Sequence, residues 1–218
     1  MKKVRSWYFP DEEQHLMMFI ERTDSYQEDS RIYSLAQVKK YKGGYNTAID
    51  IGAHVGLWSK DLAGVFKKVY AFEPMPKMIE CYEKNVLEQY KNVTLYKCAL
   101  GHKEGFVHMD FTDNNTGNTH VNMNITGGET EMKTLDSFQF TGIDYIKIDA
   151  ESFEEYVLRG ATQTILINKP VITIEQKPHP FYNDQPDFHG QFGGRDYLLS
   201  LGMKYVGATR NDLVFAFN

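Results

Sequence analysis

At 218 residues, with 42% hydrophobic and 24% charged positions, the chain is long enough to bury a substantial core and too evenly mixed for a disordered or membrane-embedded class. No apolar run approaches the roughly 18 residues that a membrane span needs. Pro10, Asp11, Glu12 and Glu13 interrupt the basic start before a signal peptide can form, so a cytoplasmic protein is expected. A formal net charge of −5 offers no basic footprint for nucleic acid, and Cys81 and Cys98, without C-x-x-C spacing, read as reduced, packed thiols.

One domain over residues 1–218 is expected, in four stretches: an N-terminal segment (1–45), a cofactor-binding half (46–104), a β insertion (105–136) and an acceptor-side half (137–218). The first stretch is mixed. Trp7, Tyr8 and Phe9 are an aromatic patch suited to covering one end of the core, and residues 31–41 suit a helix. Gly43-Gly44 punctuates the chain, after which residues 47–51 read as a buried strand, 55–66 as a helix, 68–72 as a strand, 76–89 as a helix and 93–98 as a strand. Such alternation with short loops implies a parallel sheet covered by helices on both faces. Residues 106–111, 119–124 and 130–133 alternate differently and predict short antiparallel strands. Strands at 145–148 and 171–174 flank a helix at 153–158, a helix ends near Gly202, and residues 203–207 and 213–217 predict a hairpin.

The first strand ends in Asp50-Ile51-Gly52-Ala53-His54-Val55-Gly56 and turns directly into a helix, which gathers backbone N–H groups and a helix N-terminus at the carboxyl edge of the sheet. Gly52 admits a ligand or a backbone close by, and Gly56 suits close packing of the new helix on the strand. The second strand ends in Glu73-Pro74, about 20 residues on, where nucleoside-binding folds place an acid on ribose hydroxyls. His54 stands where a dinucleotide would need the central glycine for its pyrophosphate, so S-adenosylmethionine fits better than NAD. An NAD-dependent oxidoreductase and a non-catalytic nucleoside-binding module are the alternatives.

These residues, with Ser59, Asn85-Val86, Ala99-Leu100-Gly101, residues 134–138 and Ile146-Lys147-Ile148-Asp149-Ala150-Glu151, resemble the FkbM family of methyltransferases in order and combination over about residues 47–176. The resemblance implies a Rossmann-like class I methyltransferase fold, α/β, with a mostly parallel seven-stranded sheet whose last strand is antiparallel. It also implies methyl transfer to a hydroxyl oxygen of a sugar or other small molecule. It carries Asp50, Gly52, Ala53, Gly56 and Glu73 over as contacts of S-adenosylmethionine, puts the Cys98-Ala99 turn by its adenine, and turns Asp149 toward its methionine end or the acceptor. His54, Ser59 and Pro74, beside them in the same motifs, are expected as cofactor contacts too. Ser152 departs from the glycine usual in the family.

A sugar hydroxyl is a poor nucleophile while protonated, so a base beside it would help the displacement. Asp149 and Glu151, after a buried strand, Glu175, at the end of the next, and His179 are the candidates. Each acid has a structural alternative as a helix cap or a partner of Lys147 or Lys177. His102, His108, His120 and His189 lack metal-ligand spacing and are expected in loops or at the surface, and no metal is expected.

Overall fold

The computed structural model of the chain describes residues 1–112, 114–177, 189–190 and 192–218, so that His179 lies outside the described residues. The chain opens with a hairpin, β1 (Lys2–Val4) and β2 (Trp7–Phe9), followed by α1 (His15–Thr23) and α2 (Glu28–Lys42). Alternation begins with β3 (Thr47–Ile51), α3 (Leu57–Val65), β4 (Lys68–Phe72), α4 (Pro76–Tyr82, continued by a π turn over Glu83–Leu87) and β5 (Val93–Tyr96). Four short strands follow: β6 (Ala99–Leu100), β7 (Gly105–Asp110), β8 (His120–Asn122) and β9 (Thr130–Lys133). The chain closes with β10 (Ile143–Ile148), α5 (Glu154–Arg159), α6 (Thr162–Asn168), β11 (Val171–Glu175), α7 (Gly193–Ser200), β12 (Lys204–Thr209) and β13 (Asp212–Ala216).

The main sheet has seven strands in the order β12-β13-β11-β10-β3-β4-β5. The pairs β11–β10, β10–β3, β3–β4 and β4–β5 are parallel, and β13 runs antiparallel to both neighbours. This is the class I methyltransferase sheet implied by the resemblance. Side chains alternate across it, as strand geometry requires. Ile49, Ile51, Ile146, Ile148, Ile172 and Ile174 pack with Val157, Leu158, Ile165 and Leu198 of α5, α6 and α7. Ala48, Val69, Tyr145 and Val171 pack with Val38 of α2, Trp58 and Leu62 of α3, and Phe66 just past the end of α3. Each fully buried Ile or Leu contributes about 1.5–3 kcal/mol. The three strands of the insertion join β6 in a separate sheet in the order β6-β9-β7-β8, with β7 antiparallel to both neighbours as expected and β6 parallel to β9. No helix of the described residues is long and apolar enough to cross a membrane.

The N-terminal stretch is more ordered than its sequence suggests. Three-residue strands have too few positions to show alternation, and α2 buries Ser30, Arg31, Ser34 and Val38, a mainly polar face without an apolar period. It docks through hydrogen bonds, such as Ser34 Oγ with Thr173 Oγ1 at 2.9 Å. Trp7 and Phe9 are buried against Val55, Leu57 and Cys81, closing one end of the core. The predicted helix over residues 76–89 changes to π geometry at Glu83 and includes buried Asn85. Asn85 Nδ2 donates to the carbonyls of Tyr8 and Val55, both at 2.9 Å, while its Oδ1 accepts from Tyr8 N at 2.8 Å. One side chain thus ties the opening hairpin to the loop after β3. Cys81 and Cys98 are free and buried.

Candidate active site

The carboxyl ends of β3, β4 and β10 line one cleft with an open volume of about 1150 Å³, its mouth included. Gly52, Ala53 and His54 line it from the first loop, Glu73 and Pro74 from the second, Cys98 and Ala99 from the segment after β5, and Asp149 and Glu151 from the end of β10. Asp50, Gly56 and Ser59, expected as cofactor contacts, do not line it; neither does Glu175. Asp50 is fully buried and accepts a hydrogen bond from Ser59 Oγ at 2.6 Å, so this pair secures α3 to β3 behind the cleft wall. Gly56 has φ +95°, and a Cβ there would stand 2.4 Å from Val86 Cγ2. Its missing side chain therefore lets the π turn approach, where strand packing had been expected. Gly52 also serves a backbone contact: at φ +73°, its Cβ would lie 1.8 Å from the Asp149 carbonyl oxygen.

Glu73 is buried, and its two oxygens accept from His54 N at 2.8 Å and Met75 N at 2.9 Å. Each oxygen keeps acceptor capacity for a further donor. Burial pushes its carboxyl up to about 7. Glu73 thus fixes two loops before any ligand contact is considered.

The acids after β10 and β11 form a cluster in which ligand atoms of Asp149, Glu151 and Glu175 lie within 4.8 Å of one another. Two lysines balance it, joining the structural alternative to the functional one. Lys177 Nζ stands 2.6 Å from Glu175 and 3.8 Å from Glu151, and Lys147 Nζ stands 3.5 Å from Asp149 and 3.7 Å from Asp50. Burial opposes ionisation of Asp149, but Lys147 and Lys177 hold it below the usual carboxylate range. Burial and then the Asp149 charge push Glu175 above the usual carboxylate range, against the pull of Lys177. Asp149 and Glu151 both belong to this cluster and line the cleft, and the Asp149 backbone abuts Gly52.

The model of the FkbM methyltransferase domain matches residues 50–202, 153 of the chain's 218 residues. The chain belongs to the FkbM methyltransferase family. No curated protein matches it in sequence. Its fold is similar to that of methyltransferase FkbM from Methylobacillus flagellatus KT, 20% identical, with 80% of this chain and 44% of that one covered at a TM-score of 0.52. It is also similar to precorrin-6y C5,15-methyltransferase from Geobacter metallireducens GS-15, 13% identical, with 88% and 89% covered at a TM-score of 0.50. The chain spans less than half of the M. flagellatus protein. Membership in the FkbM family sets aside the NAD-dependent oxidoreductase alternative.

The roof of the cleft comes from residues without a motif, some of them N-terminal to the matched FkbM domain. The N-terminal segment contributes His15, Leu16, Tyr26 and Gln27, and the insertion contributes residues 115–121, including His120, which had been expected in a loop or at the surface. Gln27 Oε1 accepts from Trp58 Nε1 at 2.7 Å, tying this roof to α3. Lys147, read from the sequence only as a candidate partner of the acids, also pairs with Asp50. A lone lysine in the apolar run Ile146-Lys147-Ile148 signals a buried counter-charge, but its partner depends on strand register.

Ser152, the departure from the family's glycine, has φ +75°, is 9% exposed, and its Oγ has no hydrogen-bond partner among the described residues. A left-handed conformation costs a side-chain-bearing residue about 1–2 kcal/mol, and glycine returns roughly half of that relief as unfolded-state entropy. Ser152→Gly is expected to raise stability by about 1 kcal/mol, readable as a higher midpoint in denaturant melts. A lowered midpoint would show that the hydroxyl stabilises the turn.

Proposed function

We propose that the chain is an S-adenosylmethionine-dependent O-methyltransferase acting on a hydroxyl of a sugar or other small molecule. The observation that carries this reading is the meeting of Glu73, the loop over residues 52–54 and Asp149 in one cleft of an FkbM domain. The residues fit the cofactor. Glu73 has acceptor capacity for a ribose diol, Cys98 and Ala99 offer an apolar wall for adenine, and Asp149 can receive the amino group or the acceptor hydroxyl. Bound S-adenosylmethionine supplies an electrophilic methyl group on a sulfonium. The protein must orient the acceptor oxygen and accept its proton, which we assign to ionised Asp149, with Glu151 beside it and Lys147 holding its position. Glu175, outside the cleft lining and paired with Lys177, supports Asp149 and is not assigned as the base.

A hydroxyl-bearing glycan and small-molecule panel, read by S-adenosylhomocysteine release, tests the reading. Asp149→Asn is expected to lower turnover about a hundredfold while S-adenosylhomocysteine affinity stays near the parent value. Reduced affinity with unchanged turnover would assign Asp149 to the cofactor's amino group instead. If Asp149→Asn and Glu151→Gln both retain the parent rate, proton acceptance by this cluster is wrong. Thermal stabilisation by NAD without stabilisation by S-adenosylhomocysteine would overturn the cofactor assignment.

A further inference from the structure

Three segments that lie far apart in sequence meet at His54. Thr116 N donates to Glu13 Oε2 at 2.8 Å, the Thr116 hydroxyl donates to the same oxygen, and Leu16 N donates to Glu13 Oε1 at 2.6 Å. Glu13 and Thr116 are both fully buried. A carboxylate only accepts, so the single Thr116 hydroxyl proton is committed to Glu13 and the Thr116 oxygen can only accept in turn. His54 Nε2, 2.8 Å away, must then carry the imidazole proton. Burial pushes the imidazole down to about 4, so at neutral pH Nδ1 is a bare lone pair. It is buried and has no hydrogen-bond partner among the described residues. The backbone N of the same residue holds Glu73, the acid read above as the ribose ligand.

We propose that Glu13 and Thr116 are positioning residues that fix His54 with its proton on Nε2, leaving Nδ1 to accept a hydrogen bond from a ribose hydroxyl of the bound cofactor. This rests on the S-adenosylmethionine reading. The same contacts close the roof: the N–H groups of Gln14 and His15 both reach Asn114 O at 3.2 Å, and Gln14 Nε2 reaches Asn114 Oδ1 at 2.8 Å. The N-terminal segment and the insertion are thereby drawn together over the loop that carries His54. A buried acceptor without a donor is unfavourable, and a ligand that brings the donor recovers that loss on binding.

The imidazole ¹⁵N spectrum of the parent protein reads the tautomer directly. The Nε2–H form is expected at neutral pH, and an Nδ1–H form or an imidazolium would overturn the proposal. In Thr116→Val the tautomer preference is expected to relax, and the Kd for S-adenosylhomocysteine to rise about tenfold by calorimetry, whereas Thr116→Ser retains both. Adenosine, which keeps the ribose and lacks the amino acid, should lose affinity by a similar factor. Parent-like binding by Thr116→Val, or a loss confined to S-adenosylhomocysteine, would overturn the ribose contact. If the parent protein binds no S-adenosylhomocysteine, the cofactor reading and the ribose contact fall together. The parent spectrum still decides the relay.

Discussion

Lys147→Met is expected to destabilise the protein by about 3–5 kcal/mol, because removing one partner of a buried ion pair strands the other. Parallel pairing of β3 with β10 places Lys147 directly opposite Asp50. Asp50 is fully buried and Lys147 nearly so, and Lys147 Nζ also approaches the Gly52 carbonyl at 3.4 Å. Burial lowers the tendency of the ammonium to ionise, yet Asp149, Asp50, Asp212 and Glu175 together raise its pKa above the usual lysine range. Methionine fills similar space without the charge, leaving Asp50 Oδ1 beside no cation. For a chain of this length the loss corresponds to a melting point lower by about 6–20 °C.

The pH dependence follows from the carboxyl left behind. Burial already raises the Asp50 pKa in the folded state, and removing Lys147 raises it further. A raised folded-state pKa contributes stability below the unfolded-state pKa and loses it as pH rises. The deficit of Lys147→Met is therefore expected to be largest at neutral pH and to shrink as pH falls toward the ordinary carboxylate range. Denaturant melts across that window check it. A neutral-pH melt identical to the parent would mean that Asp50 is already protonated there and that Lys147 adds no net stability through either Asp50 or Asp149.

The same strand shows how far the sequence could be read. Ile146-Lys147-Ile148 announces a buried strand through its apolar positions, and Asp149 and Glu151 announce a functional edge through their place after it. Lys147 opposite Asp50 is a fact of register, which no local pattern encodes. Likewise Thr47–Ile51 and Lys68–Phe72 were legible as strands because glycine, lysine and proline bracket short apolar runs. Glu73 was legible because an acid follows such a run at nucleoside-binding spacing. Glu13 and Thr116 carry no motif, and they become partners only when the hairpin, the π turn and the insertion pack around one loop. Asp136, quoted among the family blocks, proves to be a cap: its oxygens accept from Gln163 N at 2.9 Å and Thr164 N at 2.7 Å. Similarity of sequence marked that position without distinguishing a helix cap from a ligand contact.

Gly52→Ala is expected to abolish useful cofactor affinity and to cost about 2–5 kcal/mol of stability, the left-handed penalty and overpacking acting together. The obstacle is the Asp149 carbonyl, 1.8 Å from the position of the new Cβ, and backbone cannot rotate aside as a side chain can. Asp149 N donates to Ile51 O at 3.0 Å, so relief must part the ends of β3 and β10 at the floor of the cleft. A displacement of about 1 Å there is enough for a hundredfold loss in a reaction that depends on orientation. Gly56→Ala supplies the comparison within the same loop. Its Cβ would meet Val86 Cγ2 and the ring of Tyr82, side chains outside the cleft lining, so it should lower the melting point while losing less S-adenosylhomocysteine affinity than Gly52→Ala. Equal losses of affinity in the two variants would mean that global loosening of the loop explains both. Parent-like affinity in Gly52→Ala would remove the joined ends of β3 and β10 from the binding site.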